Sequence, residues 1–246
     1  MYAVEVENLH RFYGVFEALR GVSFKIVKGE IFGLIGPNGS GKTTTLRIIA
    51  TILKPSSGTV RVFGYDIVKE ASKVREVISY LPEEADLYKR LTGIENLLFF
   101  ARMYSENKEE AEEMVKFGIE ISGLQNRIYD KVETYSKGMR RRLALARTLM
   151  VKPKLAILDE PTSGLDVYAS VNVRNAIRKY VRETRSTVLL SSHNMLEVEY
   201  LCDRVAFISK GKIIAIDSSS KLKEKYDASN LEEAFVKAVK YELEKA

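Results

Sequence analysis

The sequence predicts an α/β fold, a mostly parallel sheet interrupted by an all-helical insertion. Three observations carry this prediction. Glu30 to Ile35 is an apolar strand that runs straight into Gly36-Pro37-Asn38-Gly39-Ser40-Gly41-Lys42-Thr43-Thr44 and then into a helical stretch ending near Thr51. Far along the chain a second apolar strand, Lys154 to Leu158, ends in Asp159-Glu160. Between them, residues 87–150 lose strand character and read as helices.

The elements follow in order. Short strand-like runs at Tyr2 to Val6, Gly21 to Ile26, Ile31 to Ile35 and Thr59 to Phe63 alternate with turns, and Pro55-Ser56-Ser57-Gly58 introduces the last of these strands. Thr92-Gly93-Ile94-Glu95 has the form of a capping box, in which the two side chains satisfy each other's free backbone donors, so a helix is expected from there to Tyr104. Lys108 to Ile121 reads as a charged helix stopped by Gly123. Strands return at Leu155 to Leu158, Thr187 to Leu190 and Val205 to Ile208, and Ser209-Lys210-Gly211-Lys212 reads as a hairpin turn into Ile213 to Ile216. The tail holds two helical segments. Asn230 is positioned to cap the second, whose Leu231, Ala234, Phe235 and Ala238 share a face suited to covering a core. The expected division is one domain, 1–246, with an α/β core at 1–86 and 151–217, a helical subdomain at 87–150 and a C-terminal helical extension at 218–246.

Composition narrows the partners. With 246 residues and 46% hydrophobic content the chain can bury about 70–75% of its unfolded surface, enough to cover a sheet on both faces. No run approaches the roughly 18–20 apolar residues that span a bilayer, and the first residues lack the pattern of a secretory signal. A single cysteine, Cys202, excludes an internal disulfide, fits a reducing compartment and reads as a helix-packing residue. The net charge of +6 is spread along the chain and interleaved with Glu, which favours a solvated surface, then an anionic membrane face, with no nucleic acid expected.

The glycine-rich run fits G-x-x-x-x-G-K-[ST], a phosphate-binding loop, and makes the core that of a P-loop NTPase. Glycines let successive backbone N–H groups point inward to form an anion nest. Lys42 brings a mobile point charge to the β- and γ-phosphates, and the Thr43 hydroxyl is a hard oxygen ligand for Mg²⁺. The helix that follows aims its positive N-terminus at the phosphates. At the second strand end, Asp159 is suited to orient Mg²⁺ and Glu160 to polarise an attacking water.

Further motifs lie around these two. Tyr135-Ser136-Lys137-Gly138-Met139 leads into a basic helix, Ser163-Gly164-Leu165-Asp166 follows Glu160, and Ser191-Ser192-His193 follows later. In order and spacing the chain resembles the nucleotide-binding subunit of ATP-binding cassette (ABC) transporters, from about Val4 to the C-terminus. The resemblance implies a small antiparallel sheet on the N-terminal side of the core. It makes Ser136 to Met139 the signature motif, with Ser136 and Gly138 supplying donors to ATP. Ser163 to Asp166 becomes the D-loop, which brings Asp166 to the nucleotide, and His193 the switch histidine. Tyr13 becomes the aromatic that stacks on adenine. It implies Thr43, Glu83 and Asp159 around Mg²⁺, Glu160 as general base, and His193 bonding both the γ-phosphate and the base.

Two positions depart from the family pattern. Glu83 stands where the Q-loop usually has Gln, and Lys137-Gly138-Met139 stands where the signature usually reads Gly-Gly-Gln. Both resemble the branch that serves exporters with separately encoded membrane subunits. The resemblance therefore implies an ATPase on the cytoplasmic face of the membrane, working as a head-to-tail homodimer with an integral permease. The alternative is a soluble ABC-type ATPase acting on ribosome or DNA. Only about 110 residues separate the two ATP motifs, which leaves no room for the long insertion of DNA-repair members, and ribosome-associated members usually carry two cassettes. The aromatic stripe Leu97, Phe99, Phe100, Met103 and Tyr104 is expected to be helix core, with docking of a short helix from the membrane subunit as the second reading.

Overall fold

The structure, a computed structural model, describes residues 1–244, so the last two residues of the expected C-terminal extension lie outside the described residues. In chain order the elements are β1 (Tyr2–Tyr13), β2 (Phe16–Val27), β3 (Ile31–Ile35), α1 (Lys42–Ile49), β4 (Ser57–Val62), β5 (Tyr65–Asp66), α2 (Ala71–Val77), β6 (Ile78–Leu81), α3 (Gly93–Tyr104), α4 (Lys108–Ser122), α5 (Lys137–Leu149) and β7 (Leu155–Asp159). There follow α6 (Val167–Thr184), β8 (Thr187–Ser192), α7 (Met195–Leu201), β9 (Arg204–Ser209), β10 (Lys212–Asp217), α8 (Ser219–Lys225) and α9 (Leu231–Glu244). The α/β architecture with an N-terminal antiparallel part is the one the sequence predicts. Packing divides the chain into two compact units, Met1–Ile78 with Thr187–Ala246, and Ser79–Ser186. The sequence boundaries at 87 and 150 follow the switch from strand to helix, whereas the packing boundaries also collect β7 and α6 into the second unit.

The first unit holds two sheets. Antiparallel strands in the order β2-β1-β4-β5 form one of them. β1 and β2 run well beyond the sequence expectation because pairing carries through residues with no apolar alternation, as far as Tyr13 opposite Phe16. In the other sheet β3 lies between β8 and β9, parallel to both, and β10 returns antiparallel on β9. β3 is buried at every position, as a parallel strand covered on both faces must be. Helix α9 closes the core as its pattern predicts. Asn230 Oδ1 accepts from Glu233 N at 2.9 Å, Leu231, Ala234 and Ala238 are buried, and Phe235 meets Phe207 edge-on at 5.2 Å.

The second unit holds β6 beside β7 and the helices α3 to α6. The capping box of α3 is complete. Thr92 N donates to Glu95 Oε2 at 2.7 Å and Glu95 N to Thr92 Oγ1 at 3.2 Å. Helix α4 starts on the Asn107 side chain and ends at Gly123 in a left-handed conformation. The expected core role of the α3 stripe needs correction. Gly93, Asn96, Leu97 and Ala101 form the buried face of α3, while Phe99, Met103 and Tyr104 are exposed. The helical period rotates those three side chains off the buried face, so size alone misassigned them. Phe99 belongs to a surface cluster, meeting Tyr88 and Phe100 edge-on at 4.9 and 5.3 Å.

Gly33, in the middle of β3, is required by packing rather than by its dihedral angles. A Cβ there would stand 2.7 Å from Val198 Cγ1 and 2.9 Å from Cys202 Sγ, at the helix α7 that covers the strand. Cys202 therefore has the packing role read from sequence. Gly33→Ala is expected to cost about 1–3 kcal/mol by overpacking. A chemical-denaturation midpoint equal to that of the unchanged chain would contradict this packing account.

Candidate functional site

The phosphate-loop residues lie in the first unit, between the end of β3 and the start of α1. The loop has no room to take another shape. A Cβ at Gly36 would come within 2.1 Å of the Ile208 carbonyl and 2.8 Å of Ser40 Oγ. Gly41, the N-cap of α1, has φ of 107°, a conformation that L side chains rarely adopt, and no side chain caps this helix. Ser40 O accepts from Gly211 N at 3.0 Å, which ties the loop to the β9–β10 hairpin. Asn38 and Gly39 are exposed at the tip of the loop.

Lys42 is buried, and its ammonium folds back to donate to Gly36 O at 2.7 Å and Pro37 O at 3.2 Å. A positive charge and a helix start without a side-chain cap are a donor set for a polyanion. Ser40 Oγ is buried and has no hydrogen-bond partner, another polar atom in the same loop suited to a phosphate oxygen. Thr43 and Thr44 sit in the first turn of α1, partly accessible.

Two more predicted residues belong to this unit. Tyr13 ends β1 in the hairpin turn, half-exposed, with the Arg11 guanidinium 4.9 Å from its ring centroid. His193 follows β8 and is exposed. Its turn is framed by a buried carboxylate that the sequence did not signal. Glu197 Oε2 accepts from Ser192 Oγ at 2.7 Å, Ser192 Oγ accepts from Asn194 N at 3.0 Å, and Asn194 Oδ1 accepts from Glu197 N at 3.2 Å.

The remaining predicted residues lie in the second unit. Asp159, fully buried at the end of β7, accepts from the Tyr80 hydroxyl at 3.2 Å. Glu160 is buried and has φ of +48°, a left-handed conformation that costs a non-glycine residue about 1–3 kcal/mol. Glu83 is exposed just beyond β6. Ser136 caps α5, its Oγ accepting from Met139 N at 3.2 Å. Gly138 is pressed onto α6, where a Cβ would meet Ala169 Cβ at 2.9 Å. Lys137 lies over Gly164, whose added Cβ would be 2.0 Å from the Lys137 ammonium. Asp166 caps α6 by accepting from Ala169 N at 2.8 Å.

Sequence reasoning missed Arg141. It is buried on α5, and its five N–H groups reach five backbone carbonyls. Nε donates to Pro161 O at 2.8 Å, Nη1 to Pro82 O and Glu83 O at 2.8 and 2.9 Å, and Nη2 to Asp159 O and Glu160 O at 2.7 and 2.9 Å. The only sequence signal was an arginine one helical turn after the cap, on the otherwise apolar side of α5, where Leu143, Ala144 and Leu145 are also buried. The cleft beside it, about 460 Å³, is lined among others by Glu83, Glu84, Lys137, Arg140 and Ser163.

Among the described residues no group of three or more His, Cys, Asp or Glu side chains could hold a metal ion. A hydroxyl and one or two carboxylates are the donor set of a Mg²⁺ that keeps waters and shares substrate phosphates, and Thr43, Asp159 and Glu83 are of that kind. Gly36→Ala tests the loop geometry. The 2.1 Å approach forces the loop to move, and a fluorescent ATP analogue should bind at least about tenfold more weakly, the equivalent of 1.4 kcal/mol. Unchanged affinity would show that the loop tolerates the shift.

Comparison with known proteins shows the family. The sequence model of the family described as ABC transporter covers residues 19–163. The chain is 42% identical over 219 residues to the linearmycin resistance ATP-binding protein LnrL of Bacillus subtilis (strain 168), covering 89% of this chain and 70% of that protein. It is 38% identical over 220 residues to the Nod factor export ATP-binding protein I of Paraburkholderia xenovorans (strain LB400), covering 89% of this chain and 72% of that one. Among solved structures, the dimeric post-hydrolysis state of the ATP-binding cassette MJ0796 bound to ADP and Pi superposes with a TM-score of 0.78 at 25% identity, over 87% of this chain and 98% of that one.

Proposed function

The chain belongs to the ABC transporter family as an ATP-hydrolysing subunit, and we propose that it works as a head-to-tail dimer driving a separate membrane permease that exports its cargo. The single observation that carries the catalytic reading is that one chain carries both a complete phosphate loop and a buried Asp159-Glu160 strand end. Support for the dimer comes from the dimeric cassette described above. Support for export comes from the relative named for Nod factor export and from the departures at Glu83 and Lys137. Among the described residues no helix is long and apolar enough to cross a membrane.

In this reading Tyr13 stacks on adenine, and the backbone from Gly36 to Thr44 with Lys42 wraps the phosphates. Lys42 leaves its carbonyl partners to neutralise charge on the β- and γ-oxygens. Thr43, Asp159 and Glu83 would hold Mg²⁺, which when bound neutralises phosphate charge and fixes the phosphates' orientation. Glu160 orients the attacking water and takes its proton. His193 donates to the γ-phosphate and keeps Glu160 aligned. Ser136 and Gly138 donate to the ATP of the partner subunit, and Asp166 lies in the D-loop beside it. Phosphoryl transfer depends on positioning and charge neutralisation, so loss of one such donor costs about 10²–10³ in rate. The exposed side chains of Tyr88, Phe99, Met103 and Tyr104 are the surface we assign to the permease.

Glu160→Gln keeps the shape and removes the base. ATP affinity should be retained while turnover falls by about 10²-fold or more. Turnover near that of the unchanged chain would remove Glu160 from its role.

A further inference from the structure

Glu160 pays for its position with a left-handed backbone, and Arg141 is the group that surrounds that backbone. Arg141 donates to the carbonyls on both sides of the strained residue, Asp159 O and Glu160 O, and to the next one, Pro161 O. A planar guanidinium with five fixed N–H directions is the side chain able to gather this many carbonyls at once. All three of these residues are buried, so water offers little replacement if the cation is removed. A conformation of this kind persists only where the surroundings over-determine it. The second arm of the fork reaches Pro82 O and Glu83 O, which places the Q-loop residue on the same cation. The helix that carries Arg141 begins at Ser136, so one short rigid segment joins signature, Q-loop and strand end within a single packing unit.

We infer that Arg141 is a positioning residue that holds Glu160 in its working conformation, and that through Arg141 helix α5 sets the placement of the base. The inference rests on the reading of Glu160 as the base. These five hydrogen bonds all end on main-chain carbonyls, and through them Arg141 fixes the backbone of Glu160 and Glu83.

The test is steady-state ATP hydrolysis and ATP-analogue binding by the purified full chain carrying Arg141→Ala or Arg141→Lys. For Arg141→Ala, kcat should fall by about 10²-fold, the loss expected from a displaced catalytic group, while analogue affinity stays within about twofold. Millimolar guanidinium, far below denaturing concentrations, should restore kcat at least tenfold, and methylammonium, a cation without the fork, should not. On a Glu160→Gln background the same substitution should lower the residual rate by less than about twofold, because both changes act on one group. Should Arg141→Ala lack a cooperative thermal transition, Arg141→Lys decides. Lysine keeps the charge and reaches at most three carbonyls, so its kcat should fall with affinity retained, and an unchanged kcat overturns the inference. It is also overturned if a folded Arg141→Ala chain keeps its kcat, or loses it without recovery in guanidinium. A Glu160→Gln chain that hydrolyses normally overturns the reading of the base, and the inference with it. A Glu160→Gln chain that is inactive beside a fully active Arg141→Ala chain overturns the inference alone.

Discussion

The site is built on main-chain polar groups held in place by packing and by one buried cation. In the first unit the constraint is the approach of Gly36 to the Ile208 carbonyl, which leaves no space for a side chain and restricts the path of the loop. In the second unit the polarity is reversed, and five carbonyls converge on the Arg141 guanidinium. One half of the chain prepares donors for an anion; the other uses a cation to order acceptors beside two carboxylates. Preorganised dipoles need no reorganisation as charge develops, which is why rigid backbone serves phosphoryl transfer better than mobile side chains.

The resting positions of charged groups agree with this view. Lys42 has carbonyl partners in its own loop, so the buried ammonium is not left unsolvated before a phosphate arrives. Asp159 is held by Tyr80, and the turn of His193 is framed by Glu197, Ser192 and Asn194. Asp159 and the turn of His193 are thus oriented by neighbours that take no part in the chemistry.

Local rules made much of the fold legible. β3 could be read from its unbroken apolar run, α3 from Thr92 and Glu95, and α9 from Asn230 and the face of Leu231, Ala234 and Ala238, because each signal lies within a few residues. α6 was not assigned. Its Val167, Val171 and Val173 favour strand locally, and the helix is secured by a buried face of Ala169, Val173, Ile177 and Tyr180. The phosphate loop and the Asp159-Glu160 strand end were legible because their chemistry demands particular residue types at particular spacing. Arg141 was not, since its partners are carbonyls that every residue carries. Glu197 escaped for a related reason, as a buried carboxylate looks like any surface acid until the chain folds. Gly138 shows a subtler limit. Its sequence position suggested backbone access for a nucleotide, and the structure adds that a Cβ would strike Ala169.

That contact decides how the dimer is best tested. Gly138 substitutions would disturb α5 against α6 within one chain, whereas Ser136 is exposed and only caps its helix. The direct measurement mixes two separately tagged chains, Lys42→Ala and Ser136→Glu, both carrying Glu160→Gln so that ATP persists. Each homodimer would have two defective sites. A mixed dimer would have one wholly intact site, built from the loop of the Ser136→Glu chain and the signature of the Lys42→Ala chain. With ATP and Mg²⁺, size-exclusion chromatography and pull-down through both tags should recover mixed dimers while each chain alone remains monomeric. If ATP yields no mixed dimers, or the two chains dimerise equally well alone, the shared site does not exist in this protein.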